Sequence, residues 1–159
     1  MTDTSGNKTN RTIIFLDIDG VLNTPKTWGN HIPNPASAID HDKVHIVRLL
    51  QQKTGAEMVL SSTWRYAYGY ERTLQLLVER GWPEAPKVFV GMTPVLHQAR
   101  GEEISAWLRL NPNVTQYVIL DDDNSAMWPE HKFNFVQING ARGVTVFDAE
   151  WARRMLTRD

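Results

Sequence analysis

Four consecutive apolar residues, Ile13-Ile14-Phe15-Leu16, run directly into Asp17-Ile18-Asp19-Gly20. No other stretch constrains the fold as much. An unbroken apolar run of this length suits a short strand buried on both faces of a parallel sheet better than a helix or a half-wet strand. Asp17 and Asp19 are two residues apart, so while the chain stays extended their side chains point to the same side. Gly20 then permits a sharp turn without a Cβ penalty. Two carboxylates projecting together repel each other, and a divalent cation, a shared proton or a nearby Lys or Arg must neutralise them. An ordinary solvated turn is the alternative, since Asp and Gly are common turn residues.

The pattern of apolar run followed by polar tip recurs along the chain. Thr24 to Ile39 holds Pro25, Pro33 and Pro35, which oppose a helix and predict a loop able to fold back over the carboxylates. Asp40 can cap a helix with Val44, Val47 and Leu50 on its apolar face, Ile46 and Leu49 beside them, and Gly55 at its end. Glu57 to Ser61 reads as a second buried strand. A second helix carries Leu74, Leu77 and Val78 and stops at Gly81, and Lys87 to Gly91 holds a brief strand. Gly101 to Leu110 is amphipathic through Ile104, Trp107 and Leu108. Tyr117 to Leu120 and Phe133 to Ile138 read as strands, and Asp148 starts a final helix carrying Trp151, Met155 and Leu156. Strand and helix alternate, which predicts a three-layer, Rossmann-like α/β fold: a parallel sheet with helices on both faces.

The 159 residues fit one domain, expected over 12–159 after a polar, flexible tail at 1–11. A formal charge of −1 excludes a global attraction to nucleic acid or to an anionic membrane. No window approaches the apolar length of a membrane span, and the amino end lacks the apolar core of a signal peptide, so a cytoplasmic protein is expected. The absence of Cys excludes disulfides and thiolate metal sites.

In a parallel α/β fold, ligands bind outside the carboxyl ends of the strands. Three strands end in chemically loaded positions: Asp17 and Asp19; Ser61, Ser62 and Arg65; and Asp121, Asp122 and Asp123. Concentrated carboxylates without sulfur or a histidine array favour a hard cation, with Mg²⁺ at about 2.1 Å the natural choice. Mg²⁺ in turn suggests a phosphate substrate.

The order D-I-D-G-V-L-N, S-S-T-W-R, R-G-E-E-I and D-D-D resembles the four motifs of the haloacid dehalogenase (HAD) superfamily, in particular its small magnesium-dependent phosphatases. With V-G-M-T-P before R-G-E-E-I, it is most similar to the phosphatase-like domains associated with phage and bacterial RNA repair proteins. The resemblance covers about residues 12–157. The first and last motifs are specific, and the middle two are loose.

The resemblance implies roles residue by residue. Asp17 would be the nucleophile that forms an aspartyl phosphate. Asp19 would be the general acid and then the base. Asp122 would bind Mg²⁺ with Asp17 and the backbone carbonyl of Asp19, with Asp121 as a further ligand or positioning group. Ser62, or Ser61 if the strand is shorter, would donate to a phosphoryl oxygen. Arg100 stands where the family usually carries Lys, and it could stabilise the phosphorylated intermediate by bidentate contact; Lys87 is the weaker candidate. Arg65 could clamp the substrate or be structural. Trp64, Tyr66, Tyr68 and Tyr70 could stack on a nucleobase or pack beneath a loop. His41 and His45 lack a third metal ligand.

The segments between motifs are too short for a large cap domain, and an open cleft suits a nucleotide, a nucleic acid end or a phosphoprotein. The expected function is Mg²⁺-dependent phosphomonoester hydrolysis. The competing reading is a catalytically weak module that uses the same cleft to hold a nucleic acid or protein partner.

Overall fold

A computed structural model describes residues 10–29, 34–125 and 127–157. Strand β1 spans Arg11–Leu16, and its last four residues are buried. The chain then makes a one-turn helix, α1 (Pro25–Trp28), and a 3₁₀ turn at Pro35–Ala38. Helix α2 (His41–Thr54) leads into β2 (Glu57–Leu60), and a π-type turn at Arg65–Gly69 into α3 (Tyr70–Glu79). A short α4 (Ala85–Val88) precedes β3 (Phe89–Met92), followed by α5 (Arg100–Leu110) and β4 (Val114–Asp121). Strand β5 (Phe135–Gln137) and α6 (Val146–Leu156) complete the described chain.

All strand pairs are parallel, in the order β3-β2-β1-β4-β5. The all-parallel sheet, flanked by helices on both faces, is the α/β architecture that the sequence predicts. No large cap is inserted among the described residues. One face holds Ile14, Leu16, Met58, Leu60, Val118 and Leu120 against apolar residues of α2, α3 and α6. The other face holds Ile13, Phe15, Val59 and Ile119 against Ile104 and Trp107 of α5. Successive residues of β1 thus enter different cores, which explains the unbroken apolar run.

β1 is the central strand, and the chain leaves it first toward β2 and β3, then returns on its other side with β4 and β5. The switch of direction falls between β1 and β4, whose carboxyl ends carry Asp17 and Asp121. This is where an open parallel sheet forms its crevice. The Asp17 amide donates to the Leu120 carbonyl across the gap at 3.1 Å, which holds the two tips together.

Several boundaries differ from expectation. Arg11 belongs to β1 rather than to a tail: its guanidinium pairs with Glu57 at 2.6 Å, donates to Asn111 at 3.0 Å and lies over the Trp107 ring. Residues 1–9 of the tail expected over 1–11 lie outside the described residues. Thr24–Ile39 is not simply a loop, because Pro25 and Pro35 each open a short helical turn, capped by the side chains of Thr24 and Asn34. Proline opposes a helix interior but suits its first position, where the missing N–H has no partner to lose. Residues 30–33 of that segment lie outside the described residues. Helix α6 starts at Val146 under a Thr145–Asp148 capping box, so Asp148 caps from within it. Trp151 is exposed while Ala152 and Leu156 are buried, since positions four apart share a helix face and Trp151 falls outside that pair.

Candidate active site

The cleft begins where β1 ends. Asp17 and Asp19 lie beyond the last strand residue, Leu16, so turn contacts rather than strand alternation orient them. Asp17 is almost wholly buried, and Asp121, the last residue of β4, is fully so. Oxygens of Asp17, Asp121 and Asp122 lie within 4.8 Å of one another. Arg100, the first residue of α5, places Nη1 3.0 Å from Asp17 Oδ1 and 2.8 Å from Asp121 Oδ2. One guanidinium therefore ties the two strand tips together.

Burial raises the Asp17 carboxyl well above its ordinary pKa, and Asp121 adds to the rise against the opposing pull of Arg100. Asp122 is raised by burial and by Asp121. Burial works against the charge of Arg100, but the Asp17 and Asp121 carboxylates hold its guanidinium protonated beyond its usual range. Asp123 is lowered because its carboxylate accepts from the Ser125 backbone. Two buried carboxylates sharing one Arg beside a third carboxylate leave excess negative charge, which a cation would relieve.

The donor set fits a hard divalent cation, since it consists of carboxylate oxygens alone. Space fits as well. Gly20, at φ +81°, packs against Asp122, and a Cβ there would collide with Asp122 Oδ2; one on Gly140 would lie 2.8 Å from the same oxygen. Only glycine lets the backbone approach that carboxylate so closely. Both Asp121 oxygens already have donors, Arg100 on Oδ2 and the Asp123 amide on Oδ1 at 3.0 Å. That arrangement suits positioning, with Asp17 and Asp122 left as the more available ligands.

The Asp19 carboxylate stands apart from this cluster. Its Oδ1 accepts from Asn23 Nδ2 and from Trp64 Nε1, both at 3.0 Å, while Asn23 Oδ1 accepts from the Gly20 amide at 2.9 Å. One asparagine thus pins the whole turn. A cleft of about 500 Å³ is lined by Asp17, Asp19, Thr63, Arg100, Asp122 and Asp123.

The serine segment lies differently from its expected place. Ser61 and Ser62 are fully buried; Ser62 Oγ accepts from the Trp64 amide at 3.1 Å, and Ser61 Oγ has no partner among the described residues. Neither lines the cleft, and Thr63 does. Arg65 is buried, and its N–H groups reach the carbonyls of Thr93, Ser61, Ser62 and Pro94 and the Glu103 carboxylate at 2.8 Å. A guanidinium has five N–H donors, and here each has an acceptor, so Arg65 braces the floor rather than clamping a substrate. Lys87 is exposed on α4, away from the residues lining the cleft.

Thr63 and Asn23 are functional candidates that pattern reading missed, and Trp64, expected to stack on a base or pack beneath a loop, instead donates its indole N–H to Asp19. Asn23 left a signal, four residues after Asp19 in the same turn. The contact of Trp64 with Asp19 left none, because it spans 45 positions.

Among the described residues no helix is long and apolar enough to cross a membrane. No curated protein and no solved structure matches the chain. A family model described as the HAD domain in Swiss Army Knife RNA repair proteins matches residues 13–149, a stretch that holds every side chain of the cleft. The chain belongs to that family of HAD domains.

Proposed function

We propose that the chain is a Mg²⁺-dependent phosphomonoester hydrolase that works through an aspartyl phosphate on Asp17, with a nucleotide or nucleic acid end as substrate and one catalytic unit built on the sheet. The observation that carries this reading is the convergence of Asp17, Asp121 and Asp122 within 4.8 Å beside a separately held Asp19. Family membership fits a phosphoester hydrolase.

A phosphoryl group entering the cleft meets Asp17 on its floor and Arg100 and Thr63 at its sides. An Asp17 oxygen attacks phosphorus as the bond to the leaving oxygen breaks, and Asp19 gives that oxygen a proton. Asp19, now a carboxylate, takes a proton from water, which attacks the phosphorus and frees Asp17 and inorganic phosphate. Asn23 and Trp64 hold one Asp19 oxygen throughout, leaving the other to face the leaving group. Arg100 keeps Asp17 oriented and offsets negative charge in the intermediate. Bound Mg²⁺, held by Asp17 and Asp122 with Asp121 behind them, would remove the repulsion between an anionic nucleophile and an anionic substrate.

A module that merely held a partner in this cleft would have no use for an Asp19 fixed by two donors. The test is hydrolysis of a generic aryl phosphate with and without Mg²⁺, by the natural chain and by Asp17→Asn. Turnover is expected only with Mg²⁺ and Asp17 together. Turnover that survives the substitution or ignores the metal would remove Asp17 from its role.

A further inference from the structure

The aromatic residues near the cleft fall into separate groups. Trp64 is buried and spends its indole N–H on Asp19. Tyr68 packs on Trp64 with ring centroids 4.9 Å apart and planes tilted by 52°. Tyr70 is partly buried against the core. Trp28, at the end of α1, is 53% exposed.

Asp19, Trp28, Thr63, Trp64, Ala67 and Tyr68 enclose a recess of about 170 Å³ that opens off the cleft. A second recess of about 340 Å³ adjoins it, with Asp19, Asn23, Pro25, Trp28 and Asp122 among its walls. Trp28 and Asp19 are therefore walls of both recesses. Asp17 lines neither.

This placement is directional. In an in-line displacement the nucleophile and the leaving oxygen lie on opposite sides of phosphorus. Whatever the leaving oxygen is attached to must then emerge on the Asp19 side, between Trp28 and Tyr68. Three of the six residues around the smaller recess are aromatic, and among the described residues neither recess is lined by a cation while Asp19 lines both, so the walls suit a flat π-face better than a second phosphate. A third recess that also touches Thr63, about 240 Å³ and lined by Tyr66, His97, Gln98 and Arg100 among others, does not include Asp19. It lies off the leaving-group path.

We propose that the recess between Trp28 and Tyr68 receives the nucleobase of the leaving nucleoside, stacked on the Trp28 indole. The site would then select phosphate esters of nucleosides, in a mononucleotide or at an oligonucleotide end, over esters of non-aromatic alcohols. The inference rests on Asp19 as the group that protonates the leaving oxygen. Stacking tolerates any base, because every base presents a π-face, so selection is for a nucleoside and not for a sequence.

The test compares kcat/KM, with Mg²⁺ present, for adenosine 5′-monophosphate, adenosine 3′-monophosphate and glycerol phosphate. The natural chain is set beside Trp28→Ala and Trp28→Phe, with melting curves to confirm that each variant folds. The natural chain should favour at least one adenosine ester over glycerol phosphate. Trp28→Ala should lower that preference by roughly tenfold, mainly through KM, and Trp28→Phe should keep most of it. A binding readout without turnover uses Asp17→Asn, whose tryptophan fluorescence should be quenched by the favoured adenosine ester. Adding Trp28→Phe should remove most of that quenching.

Equal use of glycerol phosphate, or a preference untouched by Trp28→Ala, would overturn the subsite while Mg²⁺-dependent aryl phosphate hydrolysis left the hydrolase reading standing. If no ester is hydrolysed, the hydrolase reading falls, and the fluorescence titration decides the subsite: quenching that depends on Trp28 supports it, and its absence overturns it.

Discussion

Leu16 of β1 and Leu60 of β2 pair in register, so the segments after them leave the sheet side by side, yet they meet opposite fates. After Leu16 the chain offers carboxylates, which only accept hydrogen bonds. Their donors come from elsewhere: Arg100 from the start of α5, Trp64 from beyond β2 and Asn23 from the end of the turn. After Leu60 the chain offers hydroxyls and a guanidinium: Ser62 Oγ accepts from the Trp64 amide, Ser61 Oγ has no partner among the described residues, and the guanidinium finds carbonyls both nearby, at Ser61 and Ser62, and after β3, at Thr93 and Pro94. Ser61, Ser62 and Arg65 are buried, and Arg65 alone reaches four carbonyls and Glu103. Neighbouring strand tips thus separate into a reactive edge and a brace beneath it. What separates them is the sign of the side chains: carboxylates gathered at one edge leave negative charge facing the cleft, whereas every N–H of the buried Arg65 finds an acceptor.

The reactive edge should fail in activity before it fails in stability. Asp122→Ala is expected to lower kcat/KM on an aryl phosphate by about 10²–10³-fold, several kcal/mol of lost charge stabilisation at a metal site, with little change in melting temperature. Titrating Mg²⁺ against rate checks it, and an unaltered Mg²⁺ dependence would detach Asp122 from the metal.

The brace should behave in the reverse way. Glu103→Ala leaves the Arg65 guanidinium buried beside its carbonyls without its carboxylate, at a cost of about 3–5 kcal/mol, read from urea unfolding. KM of the remaining folded protein should not rise in step. A large rise in KM with stability intact would return Arg65 to the substrate.

Asp17→Asn sharpens the contrast further. Its carboxyl is raised by burial and by Asp121, so the folded chain binds a proton more tightly than the unfolded one. The Asp17 contribution to metal-free stability is therefore greatest below the ordinary carboxyl pKa of 3.8 and is lost as pH rises through the folded value. At neutral pH without metal, Asp17→Asn should melt higher by roughly 2–4 °C, equivalent to about 1 kcal/mol, while losing turnover. A lower melting point would mean that the Arg100 pair outweighs burial and the Asp121 repulsion.

The smallest expected effects separate the hydroxyls. Thr63→Val, which removes the hydroxyl lining the cleft, should lower kcat/KM by roughly tenfold, about 1.4 kcal/mol. Ser62→Ala removes the acceptor of the Trp64 amide and should cost about 1 kcal/mol of stability. An effect of Ser62→Ala on kcat/KM as large as that of Thr63→Val would restore Ser62 as the phosphate ligand.

Much of the fold was legible because its signals are local. The run at Ile13–Leu16, the helix from Asp40 to Gly55 and the carboxylates after Leu16 and Leu120 each declare themselves within a few residues. Parallel pairing then brings the carboxyl ends to one edge without further information. The Rossmann-like sheet followed from alternation, but the exposure of Trp151 did not, because one residue of helical phase moves a side chain off the buried face. Prolines at 25 and 35 misled for a similar reason, since a helix start and a loop share the same residue. Within the site, Asp17, Asp121, Asp122 and Arg100 come together in the structure. The roles of Thr63 and Trp64 were hidden, because S-S-T-W-R holds three hydroxyls in a row and only packing decides which of them meets the cleft.

The most direct test of the account is acid quenching of the protein during turnover of a phosphorylated substrate with Mg²⁺, followed by peptide mapping. The account predicts an acid-stable, hydroxylamine-labile phosphate on Asp17, absent in Asp17→Asn and absent without the metal. Full turnover with no phosphate trapped on Asp17, or a label carried by another residue, would contradict it.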